Sequence, residues 1–184
     1  SSYYDKEFII VDRLSYLLGT PKRGDVVVFK PHVSPVKEYF LKRIVGIPGD
    51  TIRLEEGKLY IKTLDSDIFI ELDEVYLNDE NLGNTYVGGL RERKEYIVPN
   101  DEFYVLGDNR NHSTDSRHCF SSCSYPGSSN FVRDQDLTGK VFLDLGYFNF
   151  GSFEFTHPKL GIDTKPKFLN SPKNYDYKSI LSNG

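Results

Sequence analysis

Short apolar runs separated by glycine, proline and polar turns constrain the fold of this chain more than any other feature. The runs at residues 8–11 and 26–29 are rich in β-branched side chains and bounded by polar residues, which is typical of strands covered on both faces. A further run at 38–45 ends in the glycine- and proline-rich segment 46–50, where such residues stop a ladder and turn the chain. No convincing amphipathic helix exceeds two turns. The sequence therefore predicts a β-rich core.

The remaining segments extend this pattern. Residues 51–62 alternate apolar and polar side chains around a turn at 55–58, which predicts a hairpin, and 67–72 is a candidate for one more strand. The chain then becomes polar and rich in glycine and asparagine, as in a peripheral insertion. Strand character returns at 103–106 and 137–147. Beyond residue 155 the apolar pattern fades, and we expect a solvated, mobile tail.

Composition excludes some classes of protein. The formal net charge is −4 and no block of like charges stands out, so we expect no nucleic-acid partner. The chain contains no Met, even at position 1, and we therefore expect it to be a processed or excised part of a longer protein. No run approaches the roughly 18 apolar residues of a spanning helix, so we expect this part to be soluble whatever its parent is.

Cysteine and histidine spacing gives little support for a metal site or a thiol nucleophile. Cys119 and Cys123 lie close together in a Ser/Gly-rich stretch, which suits either a small disulfide loop or two free thiols, and we prefer the bridge. The four histidines show no H-x-x-x-H or C-x-x-C…H spacing, so we expect no metal and no cofactor.

The segment GDNRNHSTDSR, residues 107–117, packs acids, amides, hydroxyls and guanidinium groups directly behind a predicted buried strand. Such a density of polar groups requires an internal hydrogen-bond network, because a buried polar atom left unpaired costs on the order of 1–3 kcal/mol. One interpretation is a capped turn held by an ion pair from Asp108 or Asp115 to an arginine. The other interpretation is a catalytic loop.

Lys42 is the second candidate for chemistry, because it lies inside a predicted strand. A buried lysine loses pKa to desolvation, and its neutral amine can then act as a general base. Alternatively, Lys42 points outward beside Arg43 or pairs with an acid. Alternation places Phe40, Lys42 and Ile44 on one face and Leu41, Arg43 and Val45 on the other. Each face therefore carries one cation, and the pattern leaves both interpretations open.

Three segments together resemble the conserved boxes of bacterial type I signal peptidases. They are RGDVVVF at 23–29, LKRIVGIPGD at 41–50, and GDNR at 107–110 continuing to DSR at 115–117. The likeness spans roughly residues 8–145. The first box alone is weak, whereas the other two are long and rich in rare combinations.

The resemblance implies a serine–lysine dyad, in which a neutral lysine replaces histidine as the base. Lys42 falls on the general base, and Ser113 falls on the hydroxyl that orients it. The supporting loop that the resemblance implies consists of Asp108, Asn109, Arg110, Asp115, Ser116 and Arg117.

The resemblance also implies the fold: a mostly β protein whose catalytic core of coiled antiparallel sheets carries a smaller inserted β-rich lobe. On this basis we expect the core at 1–58 and 100–157, the lobe at 59–99 and a polar tail at 158–184. This architecture is shared with self-cleaving repressors.

The implied substrates are signal peptides of exported preproteins, cleaved after A-x-A-like sequences. The substrate is expected to add as a strand near Lys42, where small pockets exclude larger side chains. The residues expected to contact it are Tyr3, Tyr39, Phe40 and Leu41. We expect a monomer at the extracytoplasmic face of the bacterial cytoplasmic membrane, held at the membrane surface by an N-terminal anchor of the parent protein.

One departure from the family pattern is important. The family nucleophile lies in a Ser-Met-x-Pro segment shortly before a strand like 8–11, and that alignment places it before Ser1. The oxyanion donor is expected from the same region. We therefore expect the 184-residue chain to be inactive by itself.

Two other functions fit parts of the pattern. A signal-peptidase-like binding or assembly module would lack the nucleophile in its parent, but it would have no need for an unpaired buried base. A self-cleaving repressor would share the dyad, but the sequence has no DNA-binding helical segment and has a long insertion. An apolar span followed by Ser-Met-x-Pro before Ser1 would fit the peptidase alone.

Overall fold

The structure is a computed structural model that describes residues 8–33, 38–87, 92–149, 151–155 and 167–168. These residues contain eleven β-strands. No helix in these ranges is long and apolar enough to cross a membrane. The one α-helix among them is the single turn α1 (Ser15–Leu18), and 3₁₀ turns occupy Ser116–Ser121 and Asp134–Asp136. The strands are β1 (Phe8–Asp12), β2 (Val26–Phe29), β3 (Phe40–Gly46), β4 (Thr51–Glu55), β5 (Lys58–Lys62), β6 (Ile70–Glu71), β7 (Lys94–Ile97), β8 (Glu102–Leu106), β9 (Val132–Arg133), β10 (Leu137–Gly146) and β11 (Lys167–Phe168).

The strands form two antiparallel sheets. The seven-stranded sheet has the order β1-β10-β2-β3-β8-β9, with β11 pairing β10, and the four-stranded sheet has the order β6-β5-β4-β7. The prediction of a mostly β, antiparallel fold is therefore confirmed. The predicted hairpin is β4 and β5, joined by Glu56 and Gly57, which both have positive φ. Two such residues twist the turn to match the flanking strands.

β8 places the two apolar cores on its opposite faces. Phe103 and Val105 belong to one cluster, and Tyr104 and Leu106 belong to the other. This follows from the two-residue period of a strand. The cluster around Tyr104 draws residues from both sheets, so it attaches the four-stranded sheet to the seven-stranded one. Burying each large apolar side chain contributes about 1.5–3 kcal/mol.

The strand prediction for residues 8–11 is right about the strand and wrong about its burial. Phe8 and Ile10 are 49% and 45% exposed, whereas Ile9 and Val11 are partly buried. β1 is the edge strand beside β10, and only one of its faces is packed by the described residues. The matching prediction for residues 26–29 is confirmed, since Val26, Val27 and Phe29 are all buried.

Three strands lie where the pattern predicts none. β7 falls in the polar insertion, and β9 has only two residues. β11 falls in the predicted tail, where it pairs with Leu143 and Asp144 of β10. The expectation that the whole tail is solvated and mobile is therefore wrong for β11, because its backbone completes the part of β10 that β2 leaves unpaired.

The division into core and lobe stays a prediction. β4 pairs with β5 and β7 in the four-stranded sheet, although the predicted boundary follows residue 58. The chain thus passes from the seven-stranded sheet to the four-stranded sheet between Gly46 and Thr51, before the predicted boundary.

Candidate active site

Lys42 lies on β3 in the middle of the seven-stranded sheet, opposite Val27 of β2. Its side chain is partly buried, with Nζ 5.7 Å from the centre of the Phe40 ring. Among the described residues it forms no ion pair. Burial lowers the pKa of Lys42, and the carboxylates of Asp115 and Asp108 oppose this only in part. The neutral amine is therefore populated at lower pH than in an exposed lysine.

Arg43, the neighbouring cation, takes the ion-paired face of β3. Its Nε and Nη2 donate to the two carboxylate oxygens of Asp108 at 2.9 and 2.7 Å, and Nη1 donates to the carbonyl of Gly24 at 3.0 Å. Both side chains of the pair are 8% exposed. The alternation of side chains along β3 could not distinguish Lys42 from Arg43. The structure does, because Asp108 neutralises Arg43 and no described carboxylate pairs with Lys42.

Asp115 organises the loop that follows β8. Its side chain is fully buried and accepts the Gly107 N–H at 3.0 Å, Arg117 Nε at 2.9 Å and Arg117 Nη2 at 3.0 Å. Burial raises the pKa of Asp115, but the hydrogen bonds and charge of Arg117, the Gly107 amide and the nearby Ser113 hydroxyl outweigh it, so the pKa lies below its usual value. Asp115 therefore stays ionised and ties both ends of the loop together.

Ser113 packs against Gly107 beside Lys42. A Cβ added to Gly107 would lie 2.0 Å from Ser113 Oγ and 3.6 Å from Lys42 Cδ. Ser113 Oγ and Lys42 Cδ are therefore no further apart than the sum of these two distances. Ser113 Oγ is buried and completes no hydrogen bond with any described residue. The hydroxyl lies close enough to Asp115 to help lower the pKa of that carboxyl. Because Lys42 has no ion pair, the remaining hydrogen-bonding capacity of the hydroxyl is available to the Lys42 amine or to a substrate.

The other predicted loop residues fix the backbone around this pair. Ser116 Oγ accepts the Val105 N–H at 2.9 Å, and Arg110 Nε donates to the Gly107 carbonyl at 3.1 Å. The carbonyl of Asn109 accepts the His112 N–H at 3.2 Å. The capped-turn interpretation of residues 107–117 thus describes the geometry correctly, and it is compatible with a catalytic role for the loop.

The four predicted substrate contacts differ in their placement. Tyr39 is 66% exposed, whereas Phe40 and Leu41 are partly buried. Phe40 packs on Phe29 and Phe120, with ring centres 5.8 and 5.9 Å apart. Tyr3 lies outside the described residues.

Cys119 and Cys123 are joined by a disulfide, with Cα atoms 5.0 Å apart. The disulfide closes a loop of five residues, 119–123, in which Cys119, Phe120 and Ser121 all have positive φ. Because Phe120 packs on Phe40, the disulfide loop borders the predicted substrate-contact region.

Comparison with known proteins identifies the family of this chain. The sequence model of the family described as "Signal peptidase, peptidase S26" matches residues 1–145. The chain belongs to this signal peptidase family. The matched range contains Lys42 and the whole loop at 107–117.

Individual family members are moderately similar to this one. Signal peptidase I of Bacillus caldolyticus is 33% identical over 149 residues, which cover 80% of this chain and 72% of that protein. The probable signal peptidase I-2 of Synechocystis is 32% identical over 141 residues, or 73% of this chain and 53% of its own length. The chain thus spans about half the length of the Synechocystis relative. A solved signal peptidase I from Enterococcus faecalis is 25% identical, with a TM-score of 0.47 and coverage of 66% of this chain and 97% of that one.

Three side chains that the structure places next to the loop of this family member have no sequence signal of their own. Arg110 Nη1 donates to Glu74 Oε2 at 3.0 Å and also to the Thr85 hydroxyl, and Arg110 Nη2 donates to the Tyr76 hydroxyl at 3.2 Å. All three lie in the segment read as a peripheral insertion. The one available signal was Arg110 itself, because an arginine in a buried loop requires an acidic partner.

Replacing Gly107 with alanine is expected to lower the free energy of unfolding by roughly 1–3 kcal/mol, because the new Cβ overlaps Ser113. It would lie 2.0 Å from Ser113 Oγ and 2.5 Å from Ser113 Cβ. The double variant Gly107→Ala with Ser113→Gly removes both atoms and is expected to recover most of the loss. Urea unfolding of the three proteins checks this. Wild-type stability in Gly107→Ala alone would contradict the packing of Ser113 on Gly107.

Proposed function

We propose that this chain is the catalytic domain of a serine endopeptidase that removes signal peptides from exported preproteins after A-x-A-like sites. One observation carries the proposal: Lys42 is partly buried, has no ion pair among the described residues, and lies beside the buried hydroxyl of Ser113. Burying an ammonium without a counter-ion costs free energy. A buried lysine without a counter-ion is suited to a role that requires its neutral amine. Membership of the signal peptidase family supports signal peptides as the substrate class.

The proposed reaction uses Lys42 as the proton carrier. A serine hydroxyl, which the family pattern places before Ser1, attacks the scissile carbonyl carbon while the neutral amine of Lys42 takes the hydroxyl proton. The ammonium then gives that proton to the departing amine, and an acyl ester on the serine remains. Water attacks the ester as Lys42 accepts a proton from it, and the proton returns to the serine oxygen. Lys42 ends each cycle neutral.

The remaining loop residues are assigned supporting roles. Ser113 donates to or accepts from the Lys42 amine and so orients it. Asp115 and Arg117 hold the loop backbone, and Asp108 neutralises Arg43 next to the base. None of these four residues needs to exchange protons with the substrate.

An open stretch of β3 supports substrate binding as an added strand. β8 pairs with β3 from Gly46 to Arg43 and then ends at Leu106. In the described part of the chain, residues 40–42 therefore pair only with β2. Their unpaired backbone edge is suited to an extended peptide, which would pass alongside Lys42.

The proposal extends to partners and location. The partners are signal peptides and, through an N-terminal anchor of the parent protein, the membrane surface. The location is the extracytoplasmic face of the bacterial cytoplasmic membrane, and the enzyme acts as a monomer without a cofactor.

The test is cleavage of a preprotein with an A-x-A site by two proteins: residues 1–184, and the same chain carrying whatever native residues precede Ser1. We expect cleavage by the longer protein alone, at the A-x-A site. A preprotein with phenylalanine in place of both alanines is the control and should stay intact, since small pockets exclude the larger side chain.

Two results would contradict different parts of the proposal. Cleavage by residues 1–184 without the preceding residues would place the nucleophile within the chain and contradict a serine before Ser1. Failure of both proteins, with binding of the preprotein retained, would favour the catalytically dead binding or assembly module.

A further inference from the structure

We infer that Glu74 is a positioning residue for the Ser113–Lys42 site and acts through Arg110. The inference rests on the proposed function, because it assigns a role in the same reaction. Glu74 belongs to the segment between β6 and β7, outside every box of the family resemblance. It touches neither Lys42 nor Ser113 in any contact of the described residues, so its effect must pass through other side chains.

Glu74 and Arg110 form a fully desolvated pair. The Arg110 side chain is 0% exposed and that of Glu74 is 4% exposed. Arg110 Nη1 donates to Glu74 Oε2 at 3.0 Å, Nη2 donates to Oε1, and the Tyr76 hydroxyl donates to Oε1 at 2.6 Å. The Thr85 hydroxyl accepts a further bond from Arg110. Three side chains of one segment thus fix the orientation of a single guanidinium.

The other end of Arg110 holds the loop that carries Ser113. Its Nε donates to the Gly107 carbonyl at 3.1 Å, and its own carbonyl accepts Arg117 Nη2 at 2.9 Å. Gly107 is the residue against which Ser113 packs, with Lys42 on the same side. Arg110, held at one end by Glu74, therefore helps to determine, together with Asp115, where Gly107 and hence Ser113 lie over Lys42.

Tyr76 provides a second connection from the same segment. The guanidinium carbon of Arg43 lies 4.2 Å from the centre of the Tyr76 ring, and Arg43 holds Asp108 through two hydrogen bonds. The hydroxyl of that ring is bonded to Glu74. Glu74 and Tyr76 thus support two of the three arginines that hold the loop, Arg43 and Arg110.

The effect on Lys42 must come from geometry, because the charges that act on Lys42 are those of Asp115, Asp108 and Arg117. Removing the charge of Glu74 leaves Arg110 buried without its counter-ion. We expect the Gly107–Ser113 contact to loosen and water to reach Lys42. With less burial, the pKa of Lys42 rises toward its usual value. Wherever that pKa lies above the pH of the assay, each rise of one lowers the neutral fraction about tenfold.

The decisive variant is Glu74→Gln, with Glu71→Gln as its matched control. Glu71 lies three residues away and pairs with Lys58, and both side chains of that pair are 49% exposed. An NMR titration of the labelled Lys42 side chain, assigned with Lys42→Met, measures the lysine pKa in residues 1–184 without any need for activity. We expect a higher pKa in Glu74→Gln and the wild-type value in Glu71→Gln.

The kinetic readout uses the protein that carries the native residues before Ser1. In Glu74→Gln, kcat at neutral pH should fall about tenfold while KM stays within about twofold, and the acidic limb of the pH–rate profile should move to higher pH. A smaller folded fraction would lower the apparent kcat without moving that limb.

Tyr76→Phe keeps the inference testable if Glu74→Gln does not fold. It deletes the hydroxyl bonded to Glu74 and keeps the ring on Arg43, and we expect a smaller shift in the same direction. An unchanged Lys42 pKa in the folded variant, with lowered thermal stability, would make Glu74 purely structural and overturn the inference. If no protein cleaves, the proposed function fails, whereas the NMR titration still decides whether Glu74 positions the lysine.

Discussion

Replacing Lys42 with alanine is expected to lower cleavage of an A-x-A preprotein by about a thousandfold or more, because the reaction loses its general base. The protein assayed must carry the native residues before Ser1. Lys42 forms no ion pair among the described residues, so its removal leaves no buried carboxylate unpaired. We therefore expect the variant to stay folded, as circular dichroism and urea unfolding can show.

Two further substitutions separate the base from the charge. Lys42→Arg keeps a cation that does not deprotonate in proteins, and Lys42→Met keeps the length and apolar stem of the side chain. Both should be as inactive as Lys42→Ala if the neutral amine is what matters. Lys58→Ala is the control, because Lys58 is half-exposed in a surface ion pair. Activity in Lys42→Arg would show that a positive charge suffices and would contradict the dyad.

The strands of the core were predictable because their sequence patterns are strong. Residues 26–29 and 103–106 are continuous β-branched and aromatic runs, and the corresponding strands are β2 and β8. β7 was not predictable in this way. Its side chains are mostly exposed, so no apolar alternation marks it, and its pairing with β4 provides the order that its own sequence lacks.

The site was predictable only in its residue types. The family boxes pointed to Lys42 and to the loop at 107–117, but alternation on β3 could not tell Lys42 from Arg43. The difference comes from Asp108, 65 residues further along the chain from Arg43. Tertiary pairing of this kind has no local signature.

The role inferred for Glu74 was also not predictable from local sequence. Glu74 is one acid among many in a polar segment, and its partner Arg110 is 36 residues away. Its side chain is buried against Arg110 and Tyr76, to which it is hydrogen-bonded. A peripheral insertion was the reasonable prediction from composition, and the contacts with Arg110 revise it for this residue.

Replacing Asp115 with asparagine is expected to lower the free energy of unfolding by about 3–5 kcal/mol, because it leaves a buried arginine without its counter-ion. Arg117 is 3% exposed and Asp115 is 0% exposed, so water cannot substitute for the carboxylate. The Gly107 N–H also loses a charged acceptor. Urea unfolding of residues 1–184 measures the loss directly, without an assay of cleavage.

The dependence of this loss on pH provides a second check. The pKa of Asp115 lies below its usual value in the folded protein, because Arg117 and Gly107 outweigh the effect of burial. The carboxylate therefore contributes stability that is fully present above the usual aspartate pKa and is lost as pH falls through the folded pKa. The gap between wild type and Asp115→Asn should accordingly be constant near neutral pH and shrink in acid.

A matched control separates this buried pair from ordinary ion pairing. Asp136 accepts two hydrogen bonds from Arg133, each 2.8 Å long, but Arg133 is 35% exposed. Asp136→Asn should cost about 1 kcal/mol or less, since solvent screens such a pair. Equal losses in the two variants would show that burial of the Asp115–Arg117 pair adds nothing, and the loop would then need another explanation for its order. A loss several times larger in Asp115→Asn would show that this buried carboxylate stabilises the loop that holds Gly107 and Ser113.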